Sequence, residues 1–335
     1  MDTIGNPLLW GAFAALVLAA LLADLRLMRH GGPHKVTFRE AAWWSAGWVA
    51  LALLFNAWLW WWVSRTSGDA LGQQVALEFL TGYLVEKSLA VDNIFVFLVL
   101  FTYFAVPEEQ RQRVLVIGVI GAIVLRAIMI FAGALLLARF HWILYVFGAF
   151  LLLTGIKMLL AAGQAPDLER NPVLRWLTGH LPLTRNYRGG ALWVGEGRRR
   201  RYTPLFIVIV MVGVTDLIFA VDSIPAIFAI TDDPFIVLTS NVFAVLGLRA
   251  MFFLLAGMAD RFHLLPYGLA IVLMLIGVKM LLADVYKIPV LWSLLAVAVV
   301  LAVTVVLSLR RPPKAPPGLQ SPPPPPSAPH APADP

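Results

Sequence analysis

The sequence predicts an all-α membrane protein with nine transmembrane helices, six of which form two inverted-topology three-helix repeats. Three observations lead to this fold class. The 335-residue chain is 60% hydrophobic and only 13% charged, whereas a typical soluble domain carries about 25% charged residues. Apolar runs close to the ~20 residues needed to cross a bilayer recur along the whole chain. Four sequence blocks of the first half return in the same order in the second half.

The apolar runs fix the predicted spans and divide the chain into six regions. The spans cover residues 8–28, 40–63, 72–104, 113–137, 142–162, 204–231, 235–258, 264–284 and 289–309. The regions are two N-terminal helices (1–71), a first repeat (72–162), a linker (163–203), a second repeat (204–284), a ninth helix (285–311) and a tail (312–335). The tail is rich in proline, so it is predicted to be a disordered cytoplasmic segment.

The distribution of basic residues predicts the orientation. Eighteen Lys and Arg residues fall in alternate loops and the tail, whereas only Arg65, Arg139 and Lys287 fall in the opposite loops. Cytoplasmic loops carry the excess of positive charge, so the N-terminus is predicted outside and the C-terminus in the cytoplasm. The Arg run at 198–201 is interpreted as part of this topology signal. The expected partner is therefore membrane lipid and not nucleic acid.

The repeat has a consequence for architecture. Residues 86–97 match 216–228, 125–127 match 248–250, 139–141 match 261–263, and 155–161 match 277–283. Each copy contains three spans, and an odd number means that the second copy enters the membrane from the opposite side. Inverted repeats of this kind are common in secondary transporters, whose binding sites lie near the midplane where the repeats meet.

Four carboxylates lie inside the predicted spans, in matching places of the two copies. Glu86 and Asp92 belong to the third span, and Asp216 and Asp222 belong to the sixth. An Asp at the bilayer centre costs about 2.5–3.5 kcal/mol on insertion scales, so these residues require a compensating role. The sequence predicts that they hold a hard divalent cation.

Helix geometry limits how these acids can share an ion. Residues six apart on a straight helix are separated by about 9 Å along the axis and about 120° around it. Either Pro225 opens the sixth span, or the site is assembled across two antiparallel spans. In the second case Glu86 would pair with Asp222, and Asp92 with Asp216. Neutral oxygens would be added by Asn93 and Ser223.

Basic residues inside the spans nearly balance the acids. They are Lys87, Arg126, Lys157, Arg249 and Lys279. Buried charges must pair, so one interpretation is a set of static salt bridges. In the other, Lys157 and Lys279 neutralise the carboxylates when no ion is bound, or protons do so and couple transport to the proton gradient. Glu78, near the outer end of its span, is a possible mouth residue.

The ligand chemistry restricts the ion and the function class. The chain contains no cysteine, which excludes a thiolate site. Oxygen ligands favour Mg²⁺, Ca²⁺ or Mn²⁺ and leave the choice among them open. No nucleophile–base pair or His-rich motif accompanies the acids, so an enzyme such as an intramembrane hydrolase is not expected. A static channel is less favoured than a transporter because inverted repeats favour alternating access.

The motifs at 86–93 and 216–225, followed by Gly277-Val-Lys279-Met280, strongly resemble the TerC family of bacterial membrane proteins. The resemblance covers about residues 5–310 and is closest to the Alx-type members. It implies a LysE-superfamily-like fold, a place in the bacterial inner membrane, and Mn²⁺ export without a permanently bound cofactor. The motif acids thought to carry the ion fall on Glu86, Asp92, Asp216 and Asp222. The resemblance also leaves two other functions open. One is a membrane assembly factor that works with the protein-export machinery or loads metal into exported proteins. The other is a tellurium-resistance determinant.

Overall fold

A computed structural model describes residues 3–30, 37–140, 142–161, 171–184, 186–195, 200–256, 263–286 and 288–310. At positions 24, 25, 27–30, 92 and 161 the description covers the backbone only. Several predicted features lie outside these residues. They are the Asp92 side chain, the tail after Arg310, Lys287, and parts of the linker and of the 139–141 and 261–263 blocks.

The described chain is almost entirely helical, as predicted. Its helices are α1 (Pro7–His30), α2 (Phe38–Ser67), α3 (Asp69–Tyr103), α4 (Glu108–Arg139), α5 (Ile143–Ala161), α6 (Pro172–His180), α7 (Pro204–Phe228), α8 (Pro234–Leu246), α9 (Leu248–Ala256), α10 (Leu265–Leu281) and α11 (Val290–Arg310). The only described strands are β1 (Trp193–Val194) and β2 (Arg201–Tyr202), which pair antiparallel.

The helices that are long and apolar enough to cross a membrane are fewer than the nine predicted spans. Within the described residues five helices meet this criterion, namely α2, α4, α5, α7 and α11, and the bent pair α8–α9 makes a sixth. The apolar parts of α1 and α10 are shorter, at Pro7–Ala23 and Leu265–Leu281. α3 has 35 residues but contains Glu78, Glu86, Lys87 and Asp92. The all-helical membrane fold is confirmed, and the count of nine spans stays a prediction.

Two local features differ from the sequence prediction. Pro225 does not open its span, because α7 continues through Pro225 and ends only at Phe228. The predicted span 235–258 is instead divided at Gly247 into α8 and α9, which are bent by 41°. Lys87 on α3 donates a hydrogen bond of 3.2 Å to the carbonyl oxygen of Ala244 in the last turn of α8. A Cβ on Gly247 would lie 2.6 Å from this ammonium nitrogen, so the glycine leaves room for the lysine.

The linker contains structure that the polar sequence did not predict. Asn171 caps the N-terminus of α6, and Leu174 and Leu177 on this helix are buried in a core cluster with residues of α3, α4 and α7. The Tyr187 hydroxyl donates a hydrogen bond of 2.8 Å to the carbonyl oxygen of Phe104, just after α3. The linker therefore packs against the end of the bundle where α3 ends and α7 begins, here called the linker side.

Helices α5 and α10 approach each other at their backbones. A Cβ on Gly277 would lie 2.8 Å from the carbonyl oxygen of Gly148, and a Cβ on Gly155 would lie 2.8 Å from the carbonyl oxygen of Ala270. As residue numbers rise along α5 they fall along α10, so the helices run antiparallel. Only glycine permits so close an approach of two helix backbones.

Candidate functional site

The centre of the bundle contains a buried ion-pair cluster, here called the Arg126 cluster, formed by Glu86, Arg126, Asp216, Ser223 and Asn241. These side chains come from α3, α4, α7 and α8. Each is at most 3% exposed to solvent. Charged side chains with this degree of burial are rare in proteins and require partners.

Arg126 is the hub of the cluster. Its Nη1 donates hydrogen bonds to Glu86 Oε1, to Asn241 Oδ1 at 3.1 Å and to Ser223 Oγ at 3.4 Å. Its other edge faces Asp216, with Nη2 at 3.2 Å from Oδ1 and Nε at 3.4 Å from Oδ2. Glu86 and Asp216 therefore share one guanidinium, and the contact with Asp216 is a two-point fork.

Helical spacing explains why these residues face one another. Asp216 and Ser223 are seven residues apart on α7, which is close to two full turns, so they lie on one helix face. Glu86 and Asn93 have the same spacing on α3 and are both fully buried. The second acid of each motif is six residues from the first and is rotated about 120° away.

Asp222 accordingly faces a different helix. Its carboxylate lies near the hydroxyl group of Thr154 and the ammonium group of Lys157, both on α5. The structure brings Glu86 and Asp216 together at Arg126, and the pairing of Glu86 with Asp222 stays a prediction. The physical reason for the meeting at Arg126 is that α3 and α7 cross where corresponding motif residues are level. The Asp92 side chain, the other half of the hypothesis, lies outside the described residues.

Several buried polar atoms of the site have no hydrogen-bond partner among the described residues. They are Glu86 Oε2, Asn93 Oδ1 and Asn241 Nδ2. A buried polar atom without a partner costs about 1–3 kcal/mol, so such atoms call for an explanation. Two of the three are oxygens, the ligand type that hard cations prefer. The site therefore offers more acceptor capacity than Arg126 uses.

Three of the other predicted basic residues, Lys87, Lys157 and Lys279, lie near groups outside the Arg126 cluster. Lys87 binds the Ala244 carbonyl, and Lys157 lies near Asp222. Arg249 is half-buried on α9. Lys279 on α10 is close enough to Glu78 on α3 for their charges to interact.

Glu78 lines a cavity of about 410 Å³ on the side opposite the linker. Gln74 donates a hydrogen bond of 2.8 Å to Glu78 Oε1. The cavity is also lined by Lys279, Asp232 and Asp284. It opens about two turns along α3 from Glu86, a position suited to the predicted mouth residue.

Sequence reasoning missed Asn241. Its signal was present, since Thr239, Ser240 and Asn241 form a run of polar residues in an otherwise apolar span.

Among the described residues no three His, Asp or Glu side chains are grouped closely enough to hold a metal ion. The described site therefore combines two carboxylates with neutral oxygens, and any third carboxylate would have to move or come from Asp92.

Comparison with known proteins identifies the chain's relatives. The family model described as the integral membrane protein TerC family matches residues 71–314, which include both acidic motifs and the whole Arg126 cluster. The chain belongs to the TerC family.

Relatives of this TerC protein align along nearly their full length. A Salmonella typhi protein, whose name describes a candidate membrane-bound redox modulator called Alx, is 54% identical over 92% of this chain and 96% of its own length. The Escherichia coli K12 protein of the same name has the same identity and coverage. An uncharacterised membrane protein of Myxococcus xanthus is 46% identical over 94% of this chain and 96% of its own. No solved structure shows a significant match.

Proposed function

We propose that this TerC protein is a secondary transporter that exports Mn²⁺ from the cytoplasm. The observation that carries the proposal is that Glu86 and Asp216, from the two motif helices, meet at the Arg126 guanidinium in the core. Two carboxylates without a counter-charge are unstable in such a place. The buried site of these two acids therefore requires a positive charge, and its oxygen atoms are the ligands that a small hard cation prefers. The choice of Mn²⁺ and the outward direction rest on the family resemblance.

The proposed architecture has nine spans and two inverted repeats. In this assignment α1, α2, α3, α4, α5, α7, α8–α9, α10 and α11 each cross the membrane. The glycine contacts of α5 and α10 support the repeat. The repeat offset of 122 residues relates Gly148 to Ala270 (270 − 148) and Gly155 to Gly277 (277 − 155). The contact of Gly148 with Gly277 therefore corresponds to the contact of Ala270 with Gly155. Two antiparallel helices related by a two-fold axis make such paired contacts.

The proposed ion path uses more than the Arg126 cluster. The proposed ligand set includes Ser223 of the cluster and adds Asp92, Asn93 and Asp222 from outside it, with Asp222 on the α5 side of the site. Glu78 serves as the mouth on the side opposite the linker. In the proposed orientation the linker side is cytoplasmic, the N-terminus is outside, and the protein lies in the bacterial inner membrane.

Lys157 is a counter-charge for Asp222 when no ion is bound, and Lys279 plays the same part for Glu78. Lys87 and Arg249 contribute charge compensation in the same core. Protons are the proposed counter-ion, since protonation can neutralise the carboxylates after the metal leaves. No permanently bound cofactor and no enzymatic step are part of this proposal.

A second candidate function is a membrane assembly factor that supports protein insertion or metal loading of exported proteins. This second function is favoured by the linker, because α6 and the β1–β2 pair form a folded surface that packs on the linker side of the bundle, beside the membrane. The name of the Alx relatives suggests redox modulation, but this chain has no cysteine, so thiol–disulfide exchange is not available to it. Loss of an exporter should raise cellular manganese, whereas loss of an assembly factor should leave it unchanged and deplete membrane proteins.

Manganese flux in proteoliposomes tests the proposed function. Wild-type protein should move Mn²⁺, and Glu86→Gln, Asp92→Asn, Asp216→Asn and Asp222→Asn should each reduce the rate by about tenfold or more, since each removes one negative charge from the site. Asp69→Asn is the matched control because Asp69 is an exposed acid in the first turn of α3. Flux that is unchanged in all four variants would leave the acids as static salt-bridge partners.

A further inference from the structure

We infer that Arg126 is a tethered competitor for the transported ion, and that the ion binds where Arg126 Nη1 now lies, held by Glu86, Ser223 and Asn241. This inference rests on the proposed function and adds two things to it. It assigns a ligand outside the acidic motifs, Asn241, and a role in ion release to an arginine.

The first argument is the geometry around Nη1. This single nitrogen contacts a carboxylate, a hydroxyl and an amide oxygen, which come from α3, α7 and α8. Oxygens are the ligands that a hard cation prefers, and here oxygens from three different helices converge on one point of positive charge. The guanidinium supplies that positive charge in the absence of the ion.

The second argument is the acceptor capacity that Arg126 leaves unused. Glu86 Oε2 is buried without a partner among the described residues, although Oε1 of the same carboxylate binds Nη1. A metal ion can take both oxygens of one carboxylate, whereas Nη1 takes one. Replacement of the guanidinium by an ion would therefore satisfy an atom that is unsatisfied now.

The third argument is the charge of the cluster. Glu86, Asp216 and Arg126 sum to −1, and a divalent ion changes the sum to +1. Without Arg126 the corresponding sums are −2 and 0, so the empty site would be strongly disfavoured in a buried place and the ion would be trapped. Arg126 makes the two states similar in charge magnitude, which allows binding and release.

The displaced guanidinium already has a second partner. Its Nη2 and Nε form the fork with Asp216, so Arg126 can withdraw from Glu86, Ser223 and Asn241 while it keeps a carboxylate. Asp216 thus serves as the resting place of the competitor, and Glu86 serves as the ligand of the ion. The two motif acids have different parts in this scheme although they occupy matching positions in the sequence.

The experiment measures equilibrium Mn²⁺ binding in detergent and Mn²⁺ flux in proteoliposomes for the same variants. Arg126→Gln should bind Mn²⁺ about tenfold more tightly or better, since it loses the competing charge, yet should transport more slowly because release is impaired. Asn241→Leu should bind Mn²⁺ about tenfold more weakly. Arg139→Gln, an exposed arginine at the end of the same helix, is the matched control and should change neither quantity. Binding is compared at neutral and mildly alkaline pH because protons compete for the same carboxylates.

Two further measurements address folding and the chemistry of the competitor. Arg126→Lys retains one charge and is used if Arg126→Gln does not fold. Its shorter side chain should still give tighter Mn²⁺ binding than wild type. In Arg126→Ala, added methylguanidinium should weaken Mn²⁺ binding and restore part of the flux, and it should have neither effect on wild type.

The outcomes separate the inference from the proposed function. Absence of both Mn²⁺ binding and flux in the wild type would overturn the proposed function itself. Normal wild-type flux with Mn²⁺ binding that is equal or weaker in folded Arg126→Gln or Arg126→Lys would overturn only the inference, and Arg126 would be a fixed structural cross-link. Unchanged binding in Asn241→Leu would remove Asn241 from the ligand set and would likewise contradict the inference.

Discussion

Gly148 on α5 and Gly277 on α10 touch through their backbones, so that a Cβ on Gly277 would lie 2.8 Å from the Gly148 carbonyl oxygen and 2.8 Å from the backbone nitrogen of Leu152. Rigid backbone atoms surround this position on the side of α5. Any side chain at residue 277 would therefore force the two helices apart.

This contact predicts that Gly277→Ala destabilises the protein by about 1–3 kcal/mol, the usual cost of overpacking. Thermal unfolding in detergent would measure it. Gly121→Ala is a suitable control, since nothing lies within 4 Å of its Cβ position and alanine favours the helix there. A Gly277→Ala protein as stable as wild type would show that α5 and α10 are not packed in this way.

Lys87 is predicted to stabilise the bend between α8 and α9. The Lys87→Met substitution removes the ammonium donor to the Ala244 carbonyl and should cost about 1.5–3 kcal/mol, the range for a hydrogen bond that involves a charged group. Hydrogen exchange should be faster at the end of α8 and the start of α9. Arg65→Met provides the comparison, because Arg65 is exposed and lies over the Trp61 ring. Equal protection in both variants would contradict the role of Lys87.

Asp222 and Lys157 are predicted to act as a pair. Asp222→Asn and Lys157→Met should each destabilise the protein, whereas the double variant should be less destabilised than the sum, with a coupling energy of about 1 kcal/mol. A double-mutant cycle of unfolding free energies gives this value. Asp222→Asn combined with Lys87→Met is the control cycle, since Lys87 binds elsewhere. Additive effects in the first cycle would mean that the two charges do not interact.

Proton coupling predicts that Mn²⁺ flux responds to an imposed pH step. Acidification of the compartment that receives the ion should speed transport, because protons there neutralise the carboxylates after the metal leaves and favour its release. The rate would be followed with a manganese-sensitive dye inside the vesicles. Protein-free vesicles without an ionophore report the leak. A rate that is independent of the step would exclude proton coupling and leave the carrier function itself intact.

The contact between Tyr187 and α3 predicts a pH-dependent docking of the linker. Burial of the hydroxyl raises the pKa of Tyr187 above its ordinary value of 10.0. The docked linker favours the neutral phenol, so its stabilising effect is complete below pH ~10 and is lost as the pH rises through the folded pKa. A phenolate absorbance titration of wild type minus Tyr187→Phe should show a midpoint above pH ~10. A midpoint at or below the ordinary value would mean that the hydroxyl is not buried against α3.

The sequence by itself determined the class of the molecule and the face that carries the chemistry. Long apolar runs predict membrane helices because backbone polar groups in lipid must be satisfied within the helix, and the observed helices follow the predicted spans closely. Acids in an apolar run predicted a polar site in the core, and Glu86 and Asp216 are indeed buried there; the function of this site stays a prediction. The sequence contained little sign of the break at Gly247, the fold of the linker or the contact of Asn241 with Arg126, since each depends on a neighbour distant in the chain.

Only the tertiary structure decided which charges meet. The matching motifs place the four acids at equivalent positions of the sequence. In the structure Asp216 faces Arg126 and Asp222 faces α5, because the two residues lie on different sides of α7. The crossing of α3 and α7 brings Glu86 close to Asp216. Periodicity fixes the angle of a residue around its own helix, whereas the partner it finds depends on the position of the next helix. That position is set by close packing, here through glycines such as Gly148 and Gly277, and packing is a property of the assembled bundle.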